Sequence, residues 1–259
     1  MPGLPPQALK LLADGAAARG ISLDSEKLRR FDLYWQLLDT WSRRINLSTL
    51  RAPDDVVRLH FLDSLSCLSG DRIKTGARVI DIGSGAGFPG VPLKIVRSDL
   101  AMTLLEAANR RVAFLEILLQ ELALKAMVLH GRAEVLGHSA DHREVYDAVV
   151  SRATAPAPKL VELVLPFVMV GGVALLPKGA GAVHEMARAA ELTEALGGRV
   201  EAIDEVQLPR FAGRRYLVVV RKVAPTPTGF PRRPTALGRR PSSRRSAAPE
   251  SRAPGGRGG

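Results

Sequence analysis

The stretch Asp81-Ile-Gly83-Ser-Gly85-Ala-Gly87-Phe-Pro-Gly90 carries the plainest chemistry in this sequence. Closely spaced glycines between an apolar run and a helical one let the backbone turn sharply and approach a ligand, as nucleotide-binding loops do. Gly85, Gly87 and Gly90 also satisfy the dinucleotide spacing G-x-G-x-x-G, so the loop alone admits a nicotinamide dinucleotide. Asp81, two residues before the first glycine, can accept hydrogen bonds from the amino group of a methionyl moiety, which favours S-adenosylmethionine. Glu106 ends the next apolar run, where an acid accepts both ribose hydroxyls of either ligand. Arg152 follows a further run and is placed to orient a carboxylate or contact RNA. Asn46 and His60, upstream of the loop, can line a purine pocket, and Asn46 can donate to a base edge. His138 and His142 have i,i+4 spacing beside Asp141, but with no further ligand evident no metal is expected.

The elements that must position these residues change character along the chain. Leu28, Phe31, Trp35 and Leu38 recur at helical spacing, Pro53 opens another helix with Asp54 and Asp55 in its first turn, and residues 1–70 read as an N-terminal helical cap. Trp35 and Trp41 fall in the buried stripe. Beyond Gly76 short apolar runs alternate with helical stretches, the signature of an α/β, doubly wound, mostly parallel sheet. Strands are predicted at 78–82, 102–105, 127–130, 148–150 and 173–176, and helices at 91–96, 109–122, 158–168 and 183–196. A closing hairpin at 200–206 and 215–220 adds a final antiparallel strand, which suits a methyltransferase-type sheet better than a dehydrogenase. This domain spans 71–222.

Length and composition exclude a stapled peptide or a wholly disordered chain: 259 residues are 46% hydrophobic and 24% charged. The single cysteine, Cys67, cannot form an internal disulfide, consistent with a reducing, cytoplasmic setting. Leu160 to Pro177 is nearly uncharged, yet Pro166 and the Gly171–Gly172 pair interrupt it, so a buried helix, a turn and a buried strand are expected there, not a membrane span. The first ten residues lack a cationic start before an apolar run and do not read as a secretory leader. Net charge is +11, of which residues 223–259 carry +7. That segment is rich in Arg, Pro and Gly and poor in large apolar side chains, so it is expected to be a disordered basic tail. Lys10, Lys27, Arg29, Arg30, Arg43, Arg44, Arg51 and Arg58 make the cap basic as well, and both features suit a polyanionic partner.

Several blocks then occur together: Asn46-Leu-Ser48, Leu59-His-Phe-Leu-Asp-Ser64, Asp81 through Leu93, Arg110-Arg-Val-Ala-Phe-Leu115, Ser151-Arg-Ala153 and Lys178-Gly179. Their order resembles that of the RsmG family, also called glucose-inhibited division protein B, from Trp41 to Lys222. The resemblance implies a class I methyltransferase (Rossmann-like) fold and methyl transfer from S-adenosylmethionine, without a metal, to N7 of a guanine in 16S rRNA. The partner would be that RNA or the small ribosomal subunit. It also implies that Gly83 and Phe88 line the donor pocket, that Ala133 and Glu134 contact the adenine end, and that Arg152 lies in the ligand site. The chain departs from the family in having Ser48 where Thr is common, Glu106 where Asp is common, no Lys at Asn109 or Arg110, and the arginine-rich tail.

Guanine N7 has a free lone pair, so no essential acid or base is expected, only positioning by Arg152, Asn46 and His60. An Asn/Asp-Pro-Pro-Tyr/Phe motif and a Pro-Cys pair are both absent, which disfavours amino and C5 methylation. The rivals are a small-molecule methyltransferase and a noncatalytic RNA-binding or ribosome-assembly module that keeps the fold. A monomer is the expected state.

Overall fold

The computed structural model describes residues 2–152 and 155–232. Seven strands form one sheet in the order β3-β2-β1-β4-β5-β7-β6. They are β1 (Arg78–Ile82), β2 (Ala101–Glu106), β3 (Met127–His130), β4 (Tyr146–Val150), β5 (Val168–Lys178), β6 (Gly198–Glu205) and β7 (Tyr216–Lys222). The first five are parallel, and β7 runs antiparallel between β5 and β6. The chain reverses its winding between β1 and β4, and doubly wound sheets hold ligands beyond the carboxyl ends of the strands at such a switch.

Alternation along the strands builds two cores. Val79 joins Met102, Leu104, Ala148 and Leu175 on one face, whereas Ile80 and Ile82 join Leu105, Val149 and Ala174 on the other. The first face is covered by α5 (Gly90–Val96), α6 (Asn109–Glu121) and the N-terminal helices α1 (Pro6–Ala17) and α2 (Ser25–Ile45). The second is covered by α8 (Ala157–Val164) and α9 (Ala182–Ala195). The cap therefore shares a continuous hydrophobic core with one sheet face. Trp35 lies within it, and Trp41 packs half-buried against Phe114 at 5.8 Å.

Three elements differ from expectation. Helix α1, not foreseen, begins behind Pro5 with Pro6 in its first turn and buries Ala8, Leu11, Leu12, Gly15 and Ala16, an i, i+3, i+4, i+7, i+8 stripe. The helix expected through 168 stops at Val164, because Pro166 offers no N–H and the chain tightens into a 3-10 turn over Leu165–Phe167. Strand β5 then starts at Val168 and runs through both glycines, with an irregular register against β4 and Gly171 at φ +88°, where a turn was expected.

A fourth difference is in the C-terminal segment. Residues 223–232, expected to begin the disordered tail, pack on the body. Arg143 donates to the carbonyls of Thr226, Phe230 and Pro227 at 2.7, 2.7 and 3.1 Å, and Arg232 clasps buried Glu162 through its backbone N–H and its guanidinium at 2.6 and 2.7 Å. Apolar content could not signal a strap held by carbonyls and ion pairs. Residues 233–259, the rest of the expected tail, lie outside the described residues. No helix of the described residues is long and apolar enough to cross a membrane.

Candidate active site

The glycine loop leaves β1 and is pinned from three sides. The N–H groups of Gly83 and Ser84 both donate to the Leu105 carbonyl, at 2.8 and 3.0 Å. The Gly85 N–H donates to Glu106 Oε2 at 2.9 Å, and the buried Tyr34 hydroxyl of α2 donates to the Ala86 carbonyl at 2.6 Å. Gly83 and Gly85 sit at φ +71° and +59°, the left-handed region that disfavours side chains. Gly87 and Gly90 have a packing reason: a Cβ on Gly87 would meet the Tyr34 hydroxyl at 2.7 Å, and one on Gly90 would meet Leu104 Cδ2 at 2.6 Å.

Beyond the loop a cavity of about 600 Å³ opens at the carboxyl ends of β1, β2, β3 and β4. Gly83, Gly85, Phe88, Glu106, Ala133, Glu134, Arg152, Asn46 and His60 all line it. The fold thus brings together most of the residues singled out from the sequence. Two stand outside. Gly87 faces Tyr34 and Val91, and Asp81 is fully buried beneath the loop, its Oδ2 accepting from the Gly90 N–H at 2.9 Å. Asp81 Oδ1 is buried without a partner among the described residues, and burial pushes the carboxyl up to about 7. The β1 alternation turns Asp81 into the core beneath the loop, where it positions the loop through Gly90 and does not line the cavity.

Glu106 is also more committed than the sequence suggested. Its Oε1 accepts from the N–H groups of Ala107 and Ala108 at 3.0 and 2.9 Å, and Oε2 from Gly85. A carboxylate offers roughly four acceptor positions, and three of those of Glu106 are taken by backbone N–H groups. Ala133 and Glu134 open the short helix α7 (Ala133–Leu136), whose first-turn N–H groups have no acceptor within the helix. The Glu134 side chain pairs with Lys159 at 3.6 Å.

The opposite wall comes from the cap. Asn46 ends α2 in the left-handed conformation at φ 48°, exposed at the cavity edge. Helix α3 (Pro53–Val56) continues through a π turn over Val57–Leu62 into α4 (Asp63–Leu65), and this irregular turn presents His60 and the Leu59 carbonyl. Arg152 lies across it, its guanidinium over the Phe88 ring at 4.7 Å, donating to Leu59 O at 2.7 Å and to His60 Nδ1 at 2.8 Å. The His60 ring stacks on Phe88 at 4.4 Å. Burial, reinforced by the Arg152 charge, lowers the imidazole to about 3, so it is neutral near pH 7. Buried Asp63 binds Arg215 through two bonds of 2.9 and 2.5 Å and lies 3.4 Å from Arg152. On the far side of His60 and Arg152 a second recess of about 720 Å³ is lined by Lys178, Arg188 and Arg215, with Glu185 already paired to Lys178 at 2.6 Å. Arg188 forms no ion pair among the described residues.

A glycine cradle, a ribose-level acid and a basic recess adjoining them are shared by many nucleotide-dependent enzymes, and comparison with known proteins narrows the choice. The family model described as rRNA small subunit methyltransferase G matches residues 27–215. The chain belongs to this family. A ribosomal RNA small subunit methyltransferase G of Caldanaerobacter subterraneus subsp. tengcongensis is 40% identical over 236 residues, covering 91% of this chain and 98% of that protein. Its counterpart in Roseiflexus castenholzii is 44% identical over 220 residues, covering 84% and 92%. Among solved structures, TrmN from Thermus thermophilus superposes with a TM-score of 0.52 at 16% identity, over 70% of this chain and 53% of that one, a likeness of fold alone.

For this methyltransferase G family member, sequence reasoning missed Asp63 and Arg215 as site residues. The signal for Asp63 was an acid inside the Leu59–Ser64 block; Arg215 had none, since only the β7 approach brings it to the cap. The expectation of a basic cap also changes. Lys10, Lys27, Arg29, Arg30, Arg43 and Arg58 each pair with an acid three or four residues away, which leaves Arg44 and Arg51 without an ion pair among the described residues. His138 and His142 do not converge: His138 Nε2 lies 2.7 Å from the Pro231 carbonyl, and His142 Nδ1 lies 3.0 Å from the Tyr146 hydroxyl.

Proposed function

We propose that this chain transfers a methyl group from S-adenosylmethionine to N7 of a guanine in 16S rRNA, acting as a cytoplasmic monomer on the RNA or the small subunit. The observation that carries the reading is the pairing of two recesses across one wall. A glycine-cradled cavity with Glu106 and the Ala133–Glu134 turn suits a nucleoside donor, and the basic recess behind His60 and Arg152 suits a polyanionic acceptor. In this division residues 71–222 hold the donor and supply the basic side chains of the acceptor recess, and the cap, residues 1–70, adds Leu50, Leu59 and His60 to that recess.

The left-handed glycines and the single spare Glu106 acceptor position fit a donor whose ribose approaches the backbone closely. When bound, S-adenosylmethionine supplies an electrophilic methyl on a sulfonium sulfur. The attacking lone pair of guanine N7 is free at neutral pH, so this chain has no proton to remove from that atom. Its residues agree with that requirement. His60 is neutral, with both ring nitrogens engaged, and Arg152 and Asp63 are tied into a fixed network, so the site is built to orient and not to shuttle protons. Phe88, stacked on His60 and under Arg152, gives the cavity an apolar wall beside that network.

The test is transfer from labelled S-adenosylmethionine to small-subunit particles lacking the modification, followed by nucleoside mapping. One 7-methylguanosine in 16S rRNA, lost on replacing Gly83 and Gly85 by bulkier residues, is the expected result. Donor binding without transfer would favour an assembly module that keeps the fold.

A further inference from the structure

Ser48 sits in the turn between α2 and α3, 8% exposed, on the cap-side wall of the donor cavity. Two groups compete for His60 Nδ1, the Leu59 carbonyl at 3.2 Å and Arg152 Nη2 at 2.8 Å; the guanidinium nitrogen is the nearer and only donates, so Nδ1 accepts and the imidazole proton is on Nε2. That Nε2–H points at Ser48 Oγ, 2.7 Å away. The Leu50 N–H donates to the same oxygen at 3.1 Å. Both Ser48 lone pairs are therefore taken, and its hydroxyl proton finds no acceptor among the described residues. A buried hydroxyl with its proton unplaced is costly, so the proton belongs to whatever fills the cavity.

Two candidates could take it: a carboxylate or hydroxyl of the donor, or the acceptor base. Position favours the base. The groups that suit the donor, the glycine loop, Glu106 and Ala133, come from the sheet, whereas Ser48 comes from the cap and is bonded to His60, which also lines the basic recess. On the major-groove edge of guanine the acceptor O6 lies beside N7, whereas adenine presents an N–H donor at that position. We propose that the Ser48 hydroxyl, held as an obligate donor by His60 and Leu50, binds O6 of the acceptor guanine and so selects guanine for methylation at N7. Arg152 acts through His60 as a positioning residue for that proton. This proposal rests on the function given above.

The experiment is a cycle between enzyme and substrate, using small-subunit particles whose transcript carries either guanosine or 2-aminopurine riboside at the mapped position. The analogue keeps N7 and lacks O6. Wild-type enzyme should favour guanosine by at least about tenfold in single-turnover kcat/KM. Ser48→Ala should lose about tenfold or more on guanosine, little on 2-aminopurine, and so bring the ratio near unity. Its S-adenosylmethionine Kd, measured by titration calorimetry, should stay within about twofold. Ser48→Thr, which restores the hydroxyl, should restore both rate and ratio, so a folding defect in the alanine variant cannot imitate the result. An unchanged ratio in Ser48→Ala, or a tenfold weaker donor Kd, would overturn the assignment. Absence of transfer by the wild-type enzyme to guanosine particles would instead refute the proposed function itself.

Discussion

Removal of Asp63 should damage this protein more than loss of any single apolar contact near the site. Its carboxylate is 1% exposed and stands between two guanidinium groups, Arg215 at 2.5 and 2.9 Å and Arg152 at 3.4 Å. Arg152 is itself only 10% exposed, and burial already lowers its pKa, so Asp63→Ala leaves a buried cation without its counter-charge beside a second one. Breaking such a pair by removing one partner costs about 3–5 kcal/mol, a large share of the ~5–15 kcal/mol that holds a domain together. For a chain of this size that corresponds to a fall in Tm of roughly 6–20 °C. Urea unfolding followed by circular dichroism near pH 7.5 measures it. Asp63→Asn, which keeps an acceptor and loses the charge, should fall between wild type and alanine. Combining Asp63→Asn with Arg215→Gln should cost at least about 1 kcal/mol less than the sum of the two, because one unpaired cation is gone. A loss below about 1 kcal/mol for Asp63→Ala, or additivity in the cycle, would refute the account of Asp63 as the electrostatic keystone of the cap contact.

Stability should carry two opposed pH dependences. His60 is held at about 3 in the fold, so between about pH 6.5 and 3 the unfolded chain binds the extra proton and stability falls as pH drops; Asp81, pushed up to about 7, binds its proton first in the fold, so between about pH 7 and 3.8 stability rises as pH drops. Melting curves should therefore steepen into acid for Asp81→Asn and flatten or reverse for His60→Gln; equal curves for the two variants would contradict both assignments. Gly90→Ala, with Leu104 Cδ2 at 2.6 Å and Asp81 Oδ2 at 2.9 Å from the new methyl, should lower stability by ~1–3 kcal/mol. Gly85→Ala, with only the Gly83 carbonyl at 3.8 Å, should cost ~1 kcal/mol from its left-handed backbone and chiefly weaken donor binding; the reverse order in urea midpoints would count against this packing account. A chain ending at Arg232 should melt with the full-length protein, whereas one ending at Pro231 leaves buried Glu162 without its partner and should melt several degrees lower. If both truncations melt alike, the strap is not held by that ion pair. Removing residues 233–259 takes away six net positive charges and should flatten the salt dependence of RNA binding without abolishing transfer.

What the sequence by itself determined is what local spacing controls. Short apolar runs located β1 and β3 at their observed bounds and β2, β4, β6 and β7 within about two residues, while β5 begins earlier than expected; the buried runs of β1, β2 and β4 need little beyond their own composition. The glycine spacing after β1 located the ligand loop, since left-handed backbone and close packing restrict those positions to glycine whatever surrounds them. Family blocks read along the chain also placed Phe88, Ala133, Glu134 and Arg152 on one cavity.

Tertiary structure decided where each polar atom points. Asp81 and Glu106 looked like ligand groups from their strand-end positions, yet pleat and loop turned one wholly and the other mostly to the backbone they support. The cap's cations looked free until helical spacing paired six of them with their own acids. Asp63 meets Arg215 from 152 positions away, and Glu162 meets Arg232 across 70. Such contacts leave no periodic trace, because a buried charge is satisfied by geometry between distant segments and not by the residues beside it in the chain. The Ser48 proton, the most specific feature of the site, is defined only once His60, Arg152 and Leu50 have been brought around it.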